Sequence, residues 1–294
     1  MNKITSELQK GRVLVSDGAW GTFLQKKGMQ PGECPEQWNI TRPDDVLDIA
    51  RSYIEAGADM IETNSFGGNY FKLKNYGLED QVYELNKAAA EISRKAAGSD
   101  RFVLGSVGPT GKLLMMEEVT EEQLYKAFKE QSIALEAGGA DAIVIETMTD
   151  LEEARIAVKA AKENTACEVI CTMTFDKILG GGFRTMMGIS PSEMTEALIE
   201  AGASVIGANC GNGIADMIGI VQEIRQVNAE VPVLIHANAG MPHYCDGQTT
   251  FPETPQDMAA RVKEIVEAGA NIIGGCCGTT PDHICEVHHV VKGL

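Results

Sequence analysis

Apolar residues along this chain fall into two kinds of run that take turns. One kind spreads them at helical spacing among charged residues, as in 44–55, 80–97, 121–136, 151–163 and 255–267. The other packs them into short blocks rich in Val and Ile, at 13–16, 60–63, 102–106, 142–146, 168–173, 205–209, 233–237 and 272–275. Such blocks read as strands buried on both faces, which a parallel sheet covered by helices requires. A near-repeated phrase marks the passage from helix to strand: Glu55-Ala56-Gly57-Ala58-Asp59, Glu136-Ala137-Gly138-Gly139-Ala140-Asp141, Glu200-Ala201-Gly202-Ala203-Ser204 and Glu267-Ala268-Gly269-Ala270-Asn271. Glycine there takes the left-handed conformation that ends a helix, and the next strand begins at once.

Eight βα units over 294 residues give about 37 residues each, the size of a unit in a (β/α)8 TIM barrel. The expected fold is therefore α/β, one barrel domain over 1–294. An open doubly wound sheet would seldom need an eighth strand and would favour a glycine fingerprint after the first. Here the first strand runs into Asp17-Gly18-Ala19-Trp20-Gly21-Thr22, which is not that fingerprint.

Composition narrows the function classes. Hydrophobic residues at 44% against 23% charged suffice for a large core. A net charge of −17 argues against nucleic acid or an anionic membrane surface as partner. No segment is apolar for long enough to span a bilayer, and residues 1–8 lack a signal-peptide core, so a cytoplasmic location is expected. In that reducing compartment, the eight cysteines read as metal ligands or reactive thiols before they read as disulfides.

A barrel gathers every βα junction on one face, where catalytic groups collect. Those junctions deliver Asp17, Glu62 and Thr63, Glu146 and Thr147, Asn209 and Cys210, Asn238, and Cys276 with Cys277. Three thiolates from two strands suit zinc and leave it an open position. Adjacent residues on a regular strand face opposite ways, so Cys276 and Cys277 can share a metal only if the strand ends there; Gly274, Gly275 and Gly278 permit that. A vicinal disulfide or inert core thiols are the alternatives. Zinc with three thiolates is suited to binding a substrate thiol and raising its thiolate population, and Asp17 and Glu146 could hold a substrate ammonium.

The set Asp17-Gly18-Ala19 with Gly21-Thr22, Glu62-Thr63-Asn64-Ser65-Phe66-Gly67, Gly108-Pro109-Thr110-Gly111, Glu146-Thr147, Gly207-Ala208-Asn209-Cys210, Asn238-Ala239-Gly240 and Gly274 through Pro281 resembles the homocysteine S-methyltransferase family. Within it, the forms at 108–111 and 238–240 are most similar to the homocysteine-binding module of cobalamin-dependent methionine synthase. The resemblance implies a zinc barrel that activates homocysteine as a zinc-bound thiolate for methylation to methionine. It assigns the zinc to Cys210, Cys276 and Cys277, which form the catalytic set with Glu146. Asp17 and Glu146 would hold the substrate's amino-acid end, with the amides of Gly18 and Ala19 on its carboxylate and Thr63 and Asn209 as further contacts. Asn238 is a candidate for the fourth zinc position before a thiol binds.

The sequence ends at Leu294, just past the eighth helix, so the methyl group is expected from methylcobalamin on a separate corrinoid protein. A small donor such as betaine or S-methylmethionine is the alternative. A binding module that turns over only with its partner is another. Trp20 packs on a donor or caps the barrel; Gly180–Gly182 forms a lid or a plain turn; Leu113–Met116 reads as core packing, with contact to an apolar donor such as a corrinoid face as the alternative. His236 is expected to satisfy a hydrogen bond inside the barrel.

Overall fold

A computed structural model describes residues 3–245 and 248–294, with the side chains of Cys245 and Gln248 outside the description. The apolar blocks form eight strands of one parallel sheet: β1 (Leu14–Val15), β2 (Met60–Glu62), β3 (Phe102–Val107), β4 (Ala142–Met148), β5 (Glu168–Met173), β6 (Val205–Gly213), β7 (Val233–Asn238) and β8 (Ile272–Gly275). The order is β1-β8-β7-β6-β5-β4-β3-β2, which bends the sheet into a nearly closed barrel with β1 and β2 meeting at the seam. Around it lie α1 (Pro43–Glu55), α2 (Val82–Ala97), α3 (Glu121–Ala137), α4 (Leu151–Asn164), α5 (Pro191–Ala201), α6 (Ile214–Val227), α7 (Val262–Ala268) and α8 (Pro281–Val291).

Strand parity sorts the core into two shells. Leu14, Met60, Leu104, Val144, Ile170, Val205, Leu234 and Ile272 point inward and fill the barrel's lower end. The short helix Ile4–Leu8 plugs that end with Ile4 and Leu8, and its Ile4 amide donates to Glu168 Oε2 at 2.6 Å. Their neighbours Val15, Ile61, Val103, Ile143, Val169, Ile206, Val233 and Ile273 face the helices. With the lower end filled by hydrocarbon and closed by Glu168, the other polar residues of the barrel interior lie toward the upper end.

The repeated phrase has a structural task at both of its ends. Gly57, Gly139, Gly202 and Gly269 all take left-handed backbone, with φ of 103, 103, 100 and 118°. The polar residue that closes each phrase then ties its strand to a neighbour. Asp59, Asp141, Ser204 and Asn271 donate their amides to the carbonyls of Val15, Val103, Val169 and Val233 at 2.7–2.9 Å. Asp59, Asp141 and Asn271 also accept the amides of Val15, Val103 and Val233 through side-chain oxygens at 2.8–3.0 Å. At the seam, where no β1–β2 ladder pairs are found among the described residues, the Asp59 pair and Asp17 Oδ2, which accepts the Glu62 amide at 2.9 Å, do the joining.

Two elements differ from the expected pattern. The helix expected over 255–267 is broken into Pro255–Ala259 and α7, because the Arg261 backbone opens to φ −102° and its amide bonds Met258 O, a tighter turn. Strands β4 and β6 run past their expected ends through register shifts at 145–148 and 209–213. The glycines at 180–182 cap a short hairpin between Asp176–Lys177 and Phe183–Arg184.

Candidate functional site

The register shifts lie where chemistry-bearing side chains leave the strands. In β6 the irregularity puts Cys210 at φ +60° and Gly211 at +71°; in β4 it puts Thr147 at +61°. A left-handed conformation is uncommon and costly for a cysteine and more so for a β-branched threonine. It turns Cys210 out of the strand's alternation and toward β8. There the strand ends at Gly275, and the chain turns through Cys276–Thr279 with Gly278 at φ +83°. The Thr279 amide and hydroxyl both donate to Cys276 O, and the Ala239 amide donates to Cys277 O.

The outcome is that Cys210, Cys276 and Cys277 present sulfurs all within 4.8 Å of one another. All three are free thiols, so no vicinal disulfide joins the pair. Cys210 and Cys277 stand 3.9 Å apart at Sγ. Two sulfurs on one tetrahedral zinc, each at about 2.3 Å, would be separated by about 3.8 Å. Hydrogen bonds from Cys276 and Cys277 lower the pKa of the Cys210 thiol to about 3. The same bonds, in which they donate, push Cys276 well up and Cys277 to about 12. Three convergent cysteine sulfurs at this spacing are a donor set that zinc fits.

Beside the sulfurs lies a cavity of about 410 Å³, lined at depth by Glu62, Thr63, Ser106, Glu146, Thr147 and His236 and at the mouth by Trp20, Phe66, Lys72 and Tyr76. Gly18 and Ala19 line it as well. Glu146 accepts from the Ser106 hydroxyl and sits 3.4 Å from Asn209 Nδ2. Burial, with Glu62 nearby, holds its carboxyl well above the usual carboxylate range. Thr63 is occupied with Ser65 Oγ at 2.6 Å and the Ser106 amide at 3.0 Å. The Ala19 amide already donates to Thr279 Oγ1 at 3.1 Å, so it is not idle in this arrangement.

Two anticipated contacts are placed behind the cavity wall. Asp17 is 1% exposed and takes bonds from the Glu62 amide, the Trp20 indole and the Ser16 hydroxyl. Asn209 is fully buried: its Oδ1 accepts from the Thr147 amide and Thr172 hydroxyl, both at 2.7 Å, and its Nδ2 donates to Thr147 Oγ1 at 2.7 Å. Asn238 is also buried, adjoins Cys210, and leaves Oδ1 without a hydrogen-bond partner among the described residues.

Sequence reasoning placed Glu62 at a strand junction without giving it a role and read His236 as an interior hydrogen-bonding residue; both line the cavity. Glu62 is the nearest recorded partner of His236, with Oε1 3.3 Å from Nδ1, and Nε2 has no hydrogen-bond partner among the described residues. Burial lowers the His236 pKa and, with Asp17 alongside, raises that of Glu62. The position of Glu62 at a strand end was the one available signal, and Glu146 shares it.

Comparison with known proteins follows the same lines. The profile of the family "Homocysteine S-methyltransferase" matches residues 14–291. Methionine synthase of Mycobacterium tuberculosis (strain ATCC 25618 / H37Rv) is 35% identical over 297 residues, covering 96% of this chain and 25% of its own. Methionine synthase of Mycobacterium leprae (strain TN) is 35% identical over 290 residues, covering 94% and 24%. The chain thus spans about a quarter of the length of these curated relatives. Among solved structures, the metallated form of the homocysteine methyltransferase MmuM from Escherichia coli matches with a TM-score of 0.79 at 22% identity, covering 98% of this chain and 99% of that one. A methyltransferase from Methanosarcina mazei matches at 0.62 with 11% identity, covering 96% and 94%. These two likenesses concern the fold.

Proposed function

The chain belongs to the homocysteine S-methyltransferase family, and on that premise we propose that it converts homocysteine to methionine at a zinc site held by Cys210, Cys276 and Cys277. The convergence of those three sulfurs from β6 and the β8 turn is the observation that carries the reading. Zinc held there supplies a Lewis acid that takes the substrate thiol as a thiolate at neutral pH. The protein's own groups do the rest. Glu146, fixed by Ser106 and Asn209, faces the cavity as one acceptor for the amino-acid end of the substrate. Trp20, Phe66 and Leu24 on the wall keep water from competing for the donor's methyl group. Holding the sulfur and the donor in line converts a bimolecular encounter into a local one.

The proposed donor is a methylcorrinoid (cobalamin) protein acting in trans, supported by the 35% identity to methionine synthases. A second reading, a small onium donor such as betaine or S-methylmethionine, has support in the three aromatic rings of Trp20, Phe66 and Tyr76 beside the buried Glu36 at the cavity mouth. Purified with reductant, the protein should carry one zinc per chain and lose it in Cys210→Ala. X-ray absorption should count three sulfurs on the metal, and four once homocysteine is added; a count that stays at three refutes thiol coordination. Methionine should form with a methylcorrinoid donor and not with betaine or S-methylmethionine, and the reverse result selects the second reading.

A further inference from the structure

Two buried carboxyl groups outside the barrel strands each hold a loop that follows a strand. Glu36, in the turn Pro35–Gln37, is 3% exposed; its Oε1 accepts the Gly67 amide at 2.7 Å, and its Oε2 stands 3.2 Å from Cys34 Sγ. Glu153, in the first turn of α4, is 4% exposed, and its Oε1 accepts the Thr110 amide at 2.7 Å together with the Thr110 hydroxyl. The loops so held, one after β2 and one after β3, are also joined to each other, because the Gly108 amide donates to Phe66 O at 2.8 Å. The Phe66 ring lies against Gly108, where a Cβ would come within 2.6 Å of it, and the same ring lines the cavity mouth. Lys72 lines that mouth as well, with Nζ 3.0 Å from where a Cβ on Gly111 would lie. Burial raises the pKa of both carboxyl groups, and the Lys72 charge acts against that rise at each.

We propose that Glu36 and Glu153 are positioning residues for methyl transfer: through Gly67 and Thr110 they brace the two loops that hold Phe66 at the mouth, on the path by which a donor reaches the cysteine cluster, and Lys72 is the counter-charge that both braces share. Their hydrogen bonds go to loop amides, a hydroxyl and the Cys34 thiol, so their effect on the reaction passes through Phe66. A carboxylate holds an amide more firmly than a neutral carboxyl does, which is why the shared lysine matters. The run Gly108-Pro109-Thr110-Gly111 thereby gains a mechanical task. Glycine at 108 admits the Phe66 ring, Thr110 offers two donors to one carboxylate oxygen, and Gly111, at φ +74°, leaves room for the Lys72 amine. Gly67 is constrained in the same way, since a Cβ there would lie 3.0 Å from Glu36 Oε1. This inference rests on the methyl-transfer reading above, while the bracing itself can be measured without turnover.

Steady-state kinetics and amide hydrogen exchange on the zinc-loaded protein test it together, with methylcobalamin as donor, or S-methylmethionine where the wild type uses that instead. Lys72→Met should raise the donor KM roughly tenfold, the difference between a charge-assisted and a neutral hydrogen bond, with kcat, homocysteine KM and zinc content at wild-type values. Glu36→Gln and Glu153→Gln keep an acceptor oxygen without the charge and should move the donor KM in the same direction. Lys72→Arg should recover most of the loss, which a merely steric role for the lysine stem would not require. Exchange at the Gly67 and Thr110 amides should quicken together in Lys72→Met and stay unchanged along β6, β7 and β8. A wild-type donor KM in Lys72→Met, an equal loss in the homocysteine KM, or exchange that stays slow at both amides overturns the assignment. Should Lys72→Met fail to fold, Gly108→Ala decides: it should raise the donor KM by displacing the Phe66 ring, and have no such effect when combined with Phe66→Leu. An unchanged donor KM in Gly108→Ala refutes a Phe66 set on the donor's path. Wild-type protein that forms methionine with neither donor would instead defeat the functional reading, and amide exchange would still decide the bracing.

Discussion

Replacing Asn209 with alanine should remove stability and substrate affinity together. The side chain is fully buried and joins four strands or strand ends, through the Thr147 amide and hydroxyl, the Thr172 hydroxyl, Glu146 and, at 3.9 Å, Cys276 Sγ. Alanine leaves the Thr147 amide without its acceptor and two threonine hydroxyls short of a partner. A buried polar group stranded in this way costs about 1–3 kcal/mol. The amide cannot turn elsewhere, whereas the hydroxyls rotate and recover part of the loss, so about 3–4 kcal/mol is expected overall. The left-handed backbone of Thr147, at φ +61°, adds a reason for coupling. That conformation costs about 1–2 kcal/mol and persists only while neighbours hold it. Once Asn209 is gone Thr147 relaxes, and the adjacent Glu146 moves with it. Urea unfolding at fixed zinc concentration measures the first effect and homocysteine titration the second. A stability loss below about 1 kcal/mol with wild-type affinity would show that this network does not hold the site.

Glu146→Gln keeps the shape and the Ser106 contact but removes the charge, so homocysteine affinity should fall roughly tenfold while zinc content stays at the wild-type value; unchanged affinity removes Glu146 from the site. Gly278→Ala should weaken zinc retention against a chelator and lower stability, because the position has φ +83° and a Cβ there would lie 2.2 Å from Phe251 Cγ; normal zinc retention would show that the β8 turn tolerates rearrangement. The folded-state pKa of Glu62 is raised by burial and by Asp17, so the native state holds a proton that the unfolded chain has released. Its stabilising contribution is complete below the ordinary glutamate range and is lost as pH rises through the raised pKa. The stability of substrate-free wild type should therefore decline with rising pH more steeply than that of Glu62→Gln, and parallel curves from urea midpoints would contradict this.

Helices, strands and their alternation were legible because hydrophobic period and glycine placement are local properties. The eight strand cores fell within a residue or two of their expected positions, the β4 and β6 extensions aside, and the repeated phrases ended helices at left-handed glycines. The positions of Cys210, Cys276 and Cys277 at strand ends were equally local, and a parallel barrel then placed them on one rim. Among the described residues no helix is long and apolar enough to cross a membrane, which composition had indicated.

What tertiary structure decided is where each polar group finds its partner. Asp17 and Glu62 lie 45 residues apart in the chain, and Thr147 and Asn209 lie 62 apart, so no periodicity relates them. From sequence, Asp17, Glu62 and Glu146 are three equivalent acids at strand ends; in the fold one closes the seam, one is satisfied by Ser106 and Asn209, and one faces His236 at 3.3 Å. The backbone reversals that aim Cys210 and Thr147 are likewise absent from the pattern, because neither residue type favours a left-handed conformation and only the surrounding bonds maintain it. Hydrophobic order thus determined the scaffold locally, while the directions of its polar side chains depended on contacts that exist only after the barrel closes.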